Sequence, residues 1–216
     1  MKEYICAAAA ARFELKKLDI GEYGLIKGGG MKFDVSVYDA AGAGRLCLMD
    51  MKAFAGLMRM ETAVFSPTEL DGPLFSMDFI KAFGKTTLLL ELYDTTLSHP
   101  DFDSLCEIKA KYAGIPAHDP GEHWYDYLRL EPSDFKKVKG KAAELEPMVK
   151  EYGDGYFGLL SLCGRCDPAE KMKKNAEFTD GLLNNGGPAV DQFKKLLGEE
   201  KAAEFLKKYM FCCTAD

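Results

Sequence analysis

Apolar and polar residues alternate along the first half of the chain in five short runs. Phe33, Val35 and Val37 alternate with polar neighbours, the period of two that is typical of a strand with one wet face. Further runs follow at about 45–54, 57–65, 74–83 and 86–94. The links between these runs are short and rich in glycine and proline. Short links between consecutive strands predict an antiparallel meander.

Helical patterns flank this predicted sheet on both sides. The alanine-rich residues 1–18 predict a first helix, and the glycines of residues 28–30 predict a break between this helical region and the first strand. Residues 98–132 have an irregular pattern, and a helix to about Tyr152 is expected after Pro132. Further helices are predicted by three start signals: Asp167-Pro168-Ala169-Glu170, which is typical of a capping box, Pro188, and the pair Glu199 and Glu200 after Gly198.

The predicted meander has apolar residues on both faces. Leu88, Leu90 and Leu92 lie on one face of the last strand, whereas Leu89 and Tyr93 lie on the other. A sheet with two apolar faces needs a cover on each side, and the terminal helices can provide both. The expected fold is therefore an α/β three-layer α/β/α sandwich with a central antiparallel sheet. No repeat or linker is evident, so residues 1–216 are expected to form one domain.

Charge and cysteine content narrow the choice of partner and compartment. The formal net charge is -6, so we expect no nucleic-acid partner, because such binding depends on a basic surface. The longest apolar run, residues 4–11, is too short to span a membrane and is a poor signal peptide. Seven cysteines, an odd number, are typical of free thiols in a reducing compartment. We expect a cytoplasmic protein without a membrane partner.

Three motifs that could carry chemistry are weak in this sequence. The pair Cys163 and Cys166 is a C-x-x-C, but it lacks a second pair of zinc ligands and the context of a thioredoxin-type strand and helix. The three histidines have no serine or cysteine elbow nearby, so they do not indicate a nucleophilic triad. Gly28-Gly29-Gly30 precedes a strand and is more typical of a turn than of a phosphate loop.

Ionisable residues inside the meander are the strongest candidates for chemistry. Alternation places Arg59 and Glu61 on one face of the third strand, and Asp78 on a largely apolar face of the fourth. A desolvated carboxyl has a raised pKa and can deliver a proton near neutral pH. The alternation alone favours the other interpretation, in which Asp78 is a solvent-facing acid on a half-wet strand.

These segments also resemble a known family. Residues 61–67 (ETAVFSP), 71–78 (DGPLFSMD) and 88–94 are similar, in order and spacing, to strands of the ferredoxin-dependent bilin reductases, the family of phycocyanobilin:ferredoxin oxidoreductase, whose relatives include red chlorophyll catabolite reductase. Residues 119–126 and 193–211 are similar to its tryptophan loop and its closing helices. Ser76 replaces a glycine that is usual in the family.

The resemblance implies a fold, a substrate and an electron donor. It implies an α/β/α sandwich with a linear tetrapyrrole such as biliverdin between the sheet and the C-terminal helices. It also implies single electrons from ferredoxin, no bound metal, flavin or other cofactor, and protons from protein carboxyls.

The resemblance also assigns roles to particular residues. Asp78 would be the central proton donor, and Glu61, near a position where some members carry a histidine, would assist it. Asn184 and Asn185 would face the substrate, and Arg59 or a helix lysine would pair with a propionate.

Two other functions remain open at this point. The chain could be a non-catalytic bilin or tetrapyrrole carrier or sensor of the same fold, because a fold does not fix a function. A third possibility is a thiol-redox protein that uses Cys163 and Cys166.

Overall fold

The computed structural model describes residues 1–140 and 142–214, with the side chain of Pro188 left aside. Within these residues, eight strands form one antiparallel sheet: β1 (Leu15–Lys17), β2 (Leu25–Gly28), β3 (Met31–Ala40), β4 (Gly44–Ala53), β5 (Met58–Pro67), β6 (Leu74–Ala82), β7 (Lys85–Tyr93) and β8 (Asp134–Lys139). The order across the sheet is β1-β3-β4-β5-β6-β7-β8, and β2 pairs with the other end of β3. The antiparallel meander predicted from alternation is confirmed.

Six α-helices formed by the described residues cover the two faces of the sheet. They are α1 (Lys2–Ala10), α2 (Asp103–Lys111), α3 (Glu146–Leu162), α4 (Pro168–Asn185), α5 (Pro188–Leu197) and α6 (Glu199–Glu204), which continues into a π-helical turn at Phe205–Met210. None of the helices formed by the described residues is long and apolar enough to cross a membrane.

Two separate hydrophobic cores result, one on each face. On the α3 face, residues of α1, α2 and α3 pack on Phe65, Phe75 and Leu90 of the sheet. On the α4 face, residues of α4, α5 and α6 pack on Phe33 and Met49. The three-layer α/β/α sandwich predicted from the sequence is therefore confirmed.

Local signals explain where the C-terminal helices begin. The Asp167 carboxylate accepts hydrogen bonds from the backbone N–H groups of Ala169, at 2.8 Å, and Glu170, at 3.2 Å, and Pro168 occupies the first helical position. The predicted start of α4 is confirmed. The starts of α5 at Pro188 and α6 at Glu199 also agree with the sequence signals.

Two predicted elements are wrong because pairing within the sheet outweighs local preference, and one helix was not predicted at all. The first helix ends at Ala10, and Leu15–Lys17 instead pairs with Tyr38–Ala40. The helix expected directly after Pro132 is strand β8, which satisfies the backbone groups of β7. The irregular middle segment also contains a helix, α2.

Candidate functional site

Asp78 lies in the middle of β6 on the α4 face of the sheet. The strand register places it opposite Thr62 of β5 and Leu89 of β7. The Thr62 hydroxyl donates a hydrogen bond to Oδ1 of Asp78. Asp78 is only partly buried, so part of its side chain reaches the surface of this face.

The surroundings of Asp78 favour its protonated form. Burial raises the pKa of the carboxyl from 3.8 to about 6, and the negative charge of Glu91 adds to the rise. The hydrogen bond from Thr62 acts in the opposite direction, because it stabilises the carboxylate. At pH 7 a group with this pKa exists in both forms, so it can donate a proton and take up another from solvent.

A buried ion pair lies beside Asp78 on the same face. Glu91 is opposite Ser76, two residues from Asp78 along β6. Its Oε1 atom accepts hydrogen bonds from Nη2 and Nε of Arg129, at 3.0 and 3.3 Å. The Arg129 guanidinium lies over the ring of Phe135, 4.9 Å from the centroid. This pair holds a cation at the edge of the site, with a carboxylate partner that limits its desolvation cost.

Aromatic side chains form a wall at the end of the site where Glu91 and Arg129 lie. Tyr93 lies 4.6 Å from Phe178 of α4, centroid to centroid, and Tyr125 lies 5.6 Å from Tyr93. The Trp124 indole N–H donates to the carbonyl of Gly186, at 3.0 Å. A Cβ atom at Gly181 would meet the Trp124 ring at 2.2 Å, so only glycine lets α4 approach this ring.

The rest of the face around Asp78 is apolar and incompletely covered. The apolar residues that surround Asp78 on this face and remain partly exposed are Met60, Ile80, Leu89 and Phe135. On this face α5 and α6 pack over β3 and β4, whereas α4 packs at the Tyr93 end of β7. We call these four residues and Asp78 the open floor. The arrangement is a flat apolar surface with one titratable acid in it and an arginine near its edge.

The structure places Glu61 and Asp78 on opposite faces of the sheet, an arrangement that does not favour cooperation between these two acids. Glu61 lies on the α3 face, opposite Asp50 and Phe79. Burial acts to raise the pKa of Glu61, but hydrogen bonds from the amino group of Met1 and the N–H of Lys2 lower it overall. The neighbour of Asp78 across the strand pair is Thr62, one position along from Glu61.

The three other predicted binding residues are not part of the open floor. Arg59 is exposed and on the α3 face, opposite Lys52 and Lys81. Asn184 and Asn185 are exposed at the end of α4, where the Asn185 amide donates to the Gly181 carbonyl at 3.1 Å. The sequence missed Glu91 and Arg129, because no motif links two residues 38 positions apart in the chain.

Cys163 and Cys166 show none of the features of a reactive thiol pair. Both are free, and burial raises the pKa of each thiol, whereas reactive cysteines have a lowered pKa. Among residues 1–140 and 142–214, no three histidine, cysteine or acidic side chains form a group that could hold a metal ion. The geometry gives no support to the thiol-redox interpretation.

Comparisons with known proteins identify the fold. No protein-family model matches the chain, and no curated protein sequence matches it. Among solved structures, the chain is similar to phytochromobilin synthase from tomato, whose crystal structure is in complex with biliverdin. The TM-score is 0.74 at 15% sequence identity, and the match covers 98% of this chain and 83% of the tomato protein. The chain therefore has the fold of that protein.

The raised pKa of Asp78 predicts a pH-dependent stability. The folded state holds the Asp78 proton more tightly than the unfolded chain, so this site lowers the free energy of unfolding as pH rises from about 4 to 6. The full effect is at most about 3 kcal/mol. The Asp78→Asn variant should therefore gain stability relative to the parent across this range and keep the gain above pH 7. Urea unfolding of both proteins at several pH values measures the difference, and a difference that stays constant would contradict the raised pKa.

Proposed function

We propose that this protein reduces a linear tetrapyrrole on the open floor, with Asp78 as the proton donor. The observation that carries the proposal is a carboxyl with a pKa of about 6 in the middle of a flat, apolar, partly exposed sheet face. The fold is shared with a protein that was crystallised with biliverdin, and a planar apolar pigment is complementary to such a surface.

The reaction needs two electrons and two protons for each reduced double bond. A ferredoxin supplies the electrons one at a time, and each addition raises the basicity of the pigment. Asp78 then transfers its proton to a carbon or nitrogen of the reduced pigment and recovers a proton from solvent before the next step. The low polarity of the floor strengthens this interaction, because little water competes with it. In this mechanism the protein itself carries no cofactor.

Arg129 is the residue best placed to orient the substrate. Its guanidinium is mostly buried, pairs with Glu91 and also contacts Oδ1 of Asp126 through Nη1 at 2.7 Å. A propionate of the pigment could share this cation at the edge of the floor. This role replaces the one expected of Arg59, which lies on the other face.

One observation favours a second function, that of a bilin carrier or sensor. Asp78 has no second acid of the expected pair beside it, because Glu61 lies across the sheet. A single donor next to the ion-paired Glu91 could bind the pigment without completing its reduction.

Anaerobic turnover separates the two functions. Purified protein is mixed with biliverdin, and ferredoxin with a ferredoxin-reducing system is then added while the visible spectrum is recorded. A reductase gives a progressive loss of the biliverdin bands and new product bands. A carrier gives one spectral shift on mixing and no change on reduction, which would overturn the enzymatic proposal.

A further inference from the structure

Three large apolar side chains are exposed at one end of the sheet. Phe54 and Leu57 belong to the turn between β4 and β5, and Phe83 to the turn between β6 and β7. Their exposed fractions are 64%, 67% and 75%. The two hairpins are neighbours in the sheet, so the three side chains belong to one end of the molecule. Exposed apolar groups gathered in this way mark an interaction surface.

The backbone of these turns is unusual for aromatic residues. Phe54 and Phe83 have φ values of 50° and 49°, in the left-handed region, which bulky residues rarely adopt. Ala55 beside Phe54 has a φ of 52°. Both phenylalanines thus occupy strained turn positions where glycine or asparagine would be favourable. Strain of this kind is concentrated at functional positions.

Positive charge lies immediately behind the apolar tips. One row of register partners crosses five strands from β2 to β6 and consists of Lys27, Lys32, Lys52, Arg59 and Lys81. Lys85 and Lys139 are partners in the next row toward the tips. The segments 27–33, 51–60, 79–90 and 135–140 contain no aspartate or glutamate. This concentration of cations occurs in a chain whose formal net charge is -6.

Most of these cations form no close salt bridge within the described part of the chain, although the charges of Lys27 and Lys52 help to lower the pKa of Asp34 and that of Lys81 helps to lower the pKa of Glu61. Among the described residues, only Lys32 of the five-residue row forms a salt bridge, with Asp34 at 2.6 Å. A cleft of about 480 Å³ lies between Leu57 and Phe83, and a second of about 260 Å³ lies behind Ala55 and Gly56. Arg59, Lys81 and Lys85 line the larger cleft, and three further lysines line the smaller one. Both clefts therefore suit anionic groups.

The residue types are layered along the strand direction. The apolar tips are outermost, the cationic rows follow, and the acids Asp34, Asp50 and Glu61 lie two residues further in, about 7 Å deeper. This sequence of layers matches the depth profile of an anionic lipid surface, where hydrocarbon lies beneath phosphate and phosphate beneath water. An acidic protein would match the charge, but it would not require the apolar residues to project beyond the cations.

We infer that this end of the sheet binds peripherally to an anionic lipid membrane. Phe54, Leu57 and Phe83 enter the boundary between head groups and acyl chains, and the cations behind them contact lipid phosphates. The open floor lies elsewhere, around Asp78, so the inference does not depend on the proposed function. It requires no spanning segment, because the protein would lie on the membrane surface, and it departs from the expectation drawn from the sequence that the protein has no membrane partner.

Vesicle sedimentation tests the inference on the full chain. Vesicles of phosphatidylcholine with 30% phosphatidylglycerol are compared with pure phosphatidylcholine, at low and high salt. We expect binding to the anionic vesicles only, weakened at least tenfold by high salt. Two double variants test the apolar tips and the cations separately. One carries Phe54→Ser and Phe83→Ser, the other carries Lys52→Glu and Lys81→Glu, and each should weaken binding at least tenfold. Lys173→Glu with Lys174→Glu, at exposed positions of α4, is the matched control and should bind much more tightly than the tip variants.

A second measurement separates insertion from adsorption. Tryptophan placed at the tip by Phe83→Trp should be quenched by brominated lipids, whereas native Trp124, which packs against α4, should not. Absence of binding to anionic vesicles at low salt, or equal binding by parent and tip variants, would overturn the inference. Binding of the tip to an acidic ferredoxin with none to vesicles would also overturn it and assign the surface to a protein partner.

Discussion

The Asp78→Asn variant is expected to lose bilin reduction by a factor of 100 to 10,000, the range over which a positioned acid contributes to a rate. Asparagine has nearly the shape of aspartate and can still accept the hydrogen bond from Thr62, but it has no acidic proton to donate. Biliverdin affinity should therefore change less than about threefold. The measurement is anaerobic single-turnover kinetics with reduced ferredoxin.

The sheet offers a matched control for this experiment. Glu61→Gln removes an acid one position along β5 from Thr62 but on the opposite face. Its turnover should stay within about twofold of the parent. If Glu61→Gln loses as much activity as Asp78→Asn, the separation of these two acids across the sheet does not explain the proposed activity.

The Lys171→Met variant is expected to lose about 3 to 5 kcal/mol of folding stability, as when one partner of a buried ion pair is removed. Lys171 is fully buried in α4. Its ammonium donates to the carbonyls of Gly72 and Thr95, both at 2.6 Å, and lies 3.6 Å from Oδ1 of Asp71. Methionine fills a similar volume but leaves two carbonyls and a carboxylate without their cation. Urea unfolding at pH 7 measures the loss.

Lys173→Met is the control for this prediction. Lys173 lies in the same helix but is exposed, so its substitution should change stability by less than about 0.5 kcal/mol. A loss below about 1 kcal/mol for Lys171→Met would show that Lys171 contributes little to holding α4 against the backbone at Gly72 and Thr95.

Strand alternation was sufficient to place Asp78, but not to find its neighbours. Alternation assigned Asp78 to the face of Leu74 and Ile80, and the structure agrees. The partner across the strand pair depends on the register between β5 and β6, which the sequence does not encode in any local pattern. A shift of one residue in the pairing of two strands would exchange the faces on which their side chains lie. The observed register places Thr62, and not Glu61, beside Asp78.

Local signals also failed where distant pairing decides the structure. Ser133 and Asp134 are typical helix caps, yet the unpaired edge of β7 recruits this segment as a strand. Arg129 lies in the segment that has no periodicity, and only the folded chain brings it to Glu91. Lys171 is an ordinary residue of an amphipathic helix by sequence, so nothing marks it as a buried cation.

A biliverdin titration followed by visible absorbance tests the central claim most directly. The parent protein should give a saturable spectral change with one pigment per chain. Ile80→Glu, which places a charge on the open floor, should weaken binding at least tenfold, whereas Lys81→Glu, the next residue on the opposite face, should not. A parent protein that gives no saturable change, or a Lys81→Glu variant that weakens binding as much as Ile80→Glu, would contradict the account.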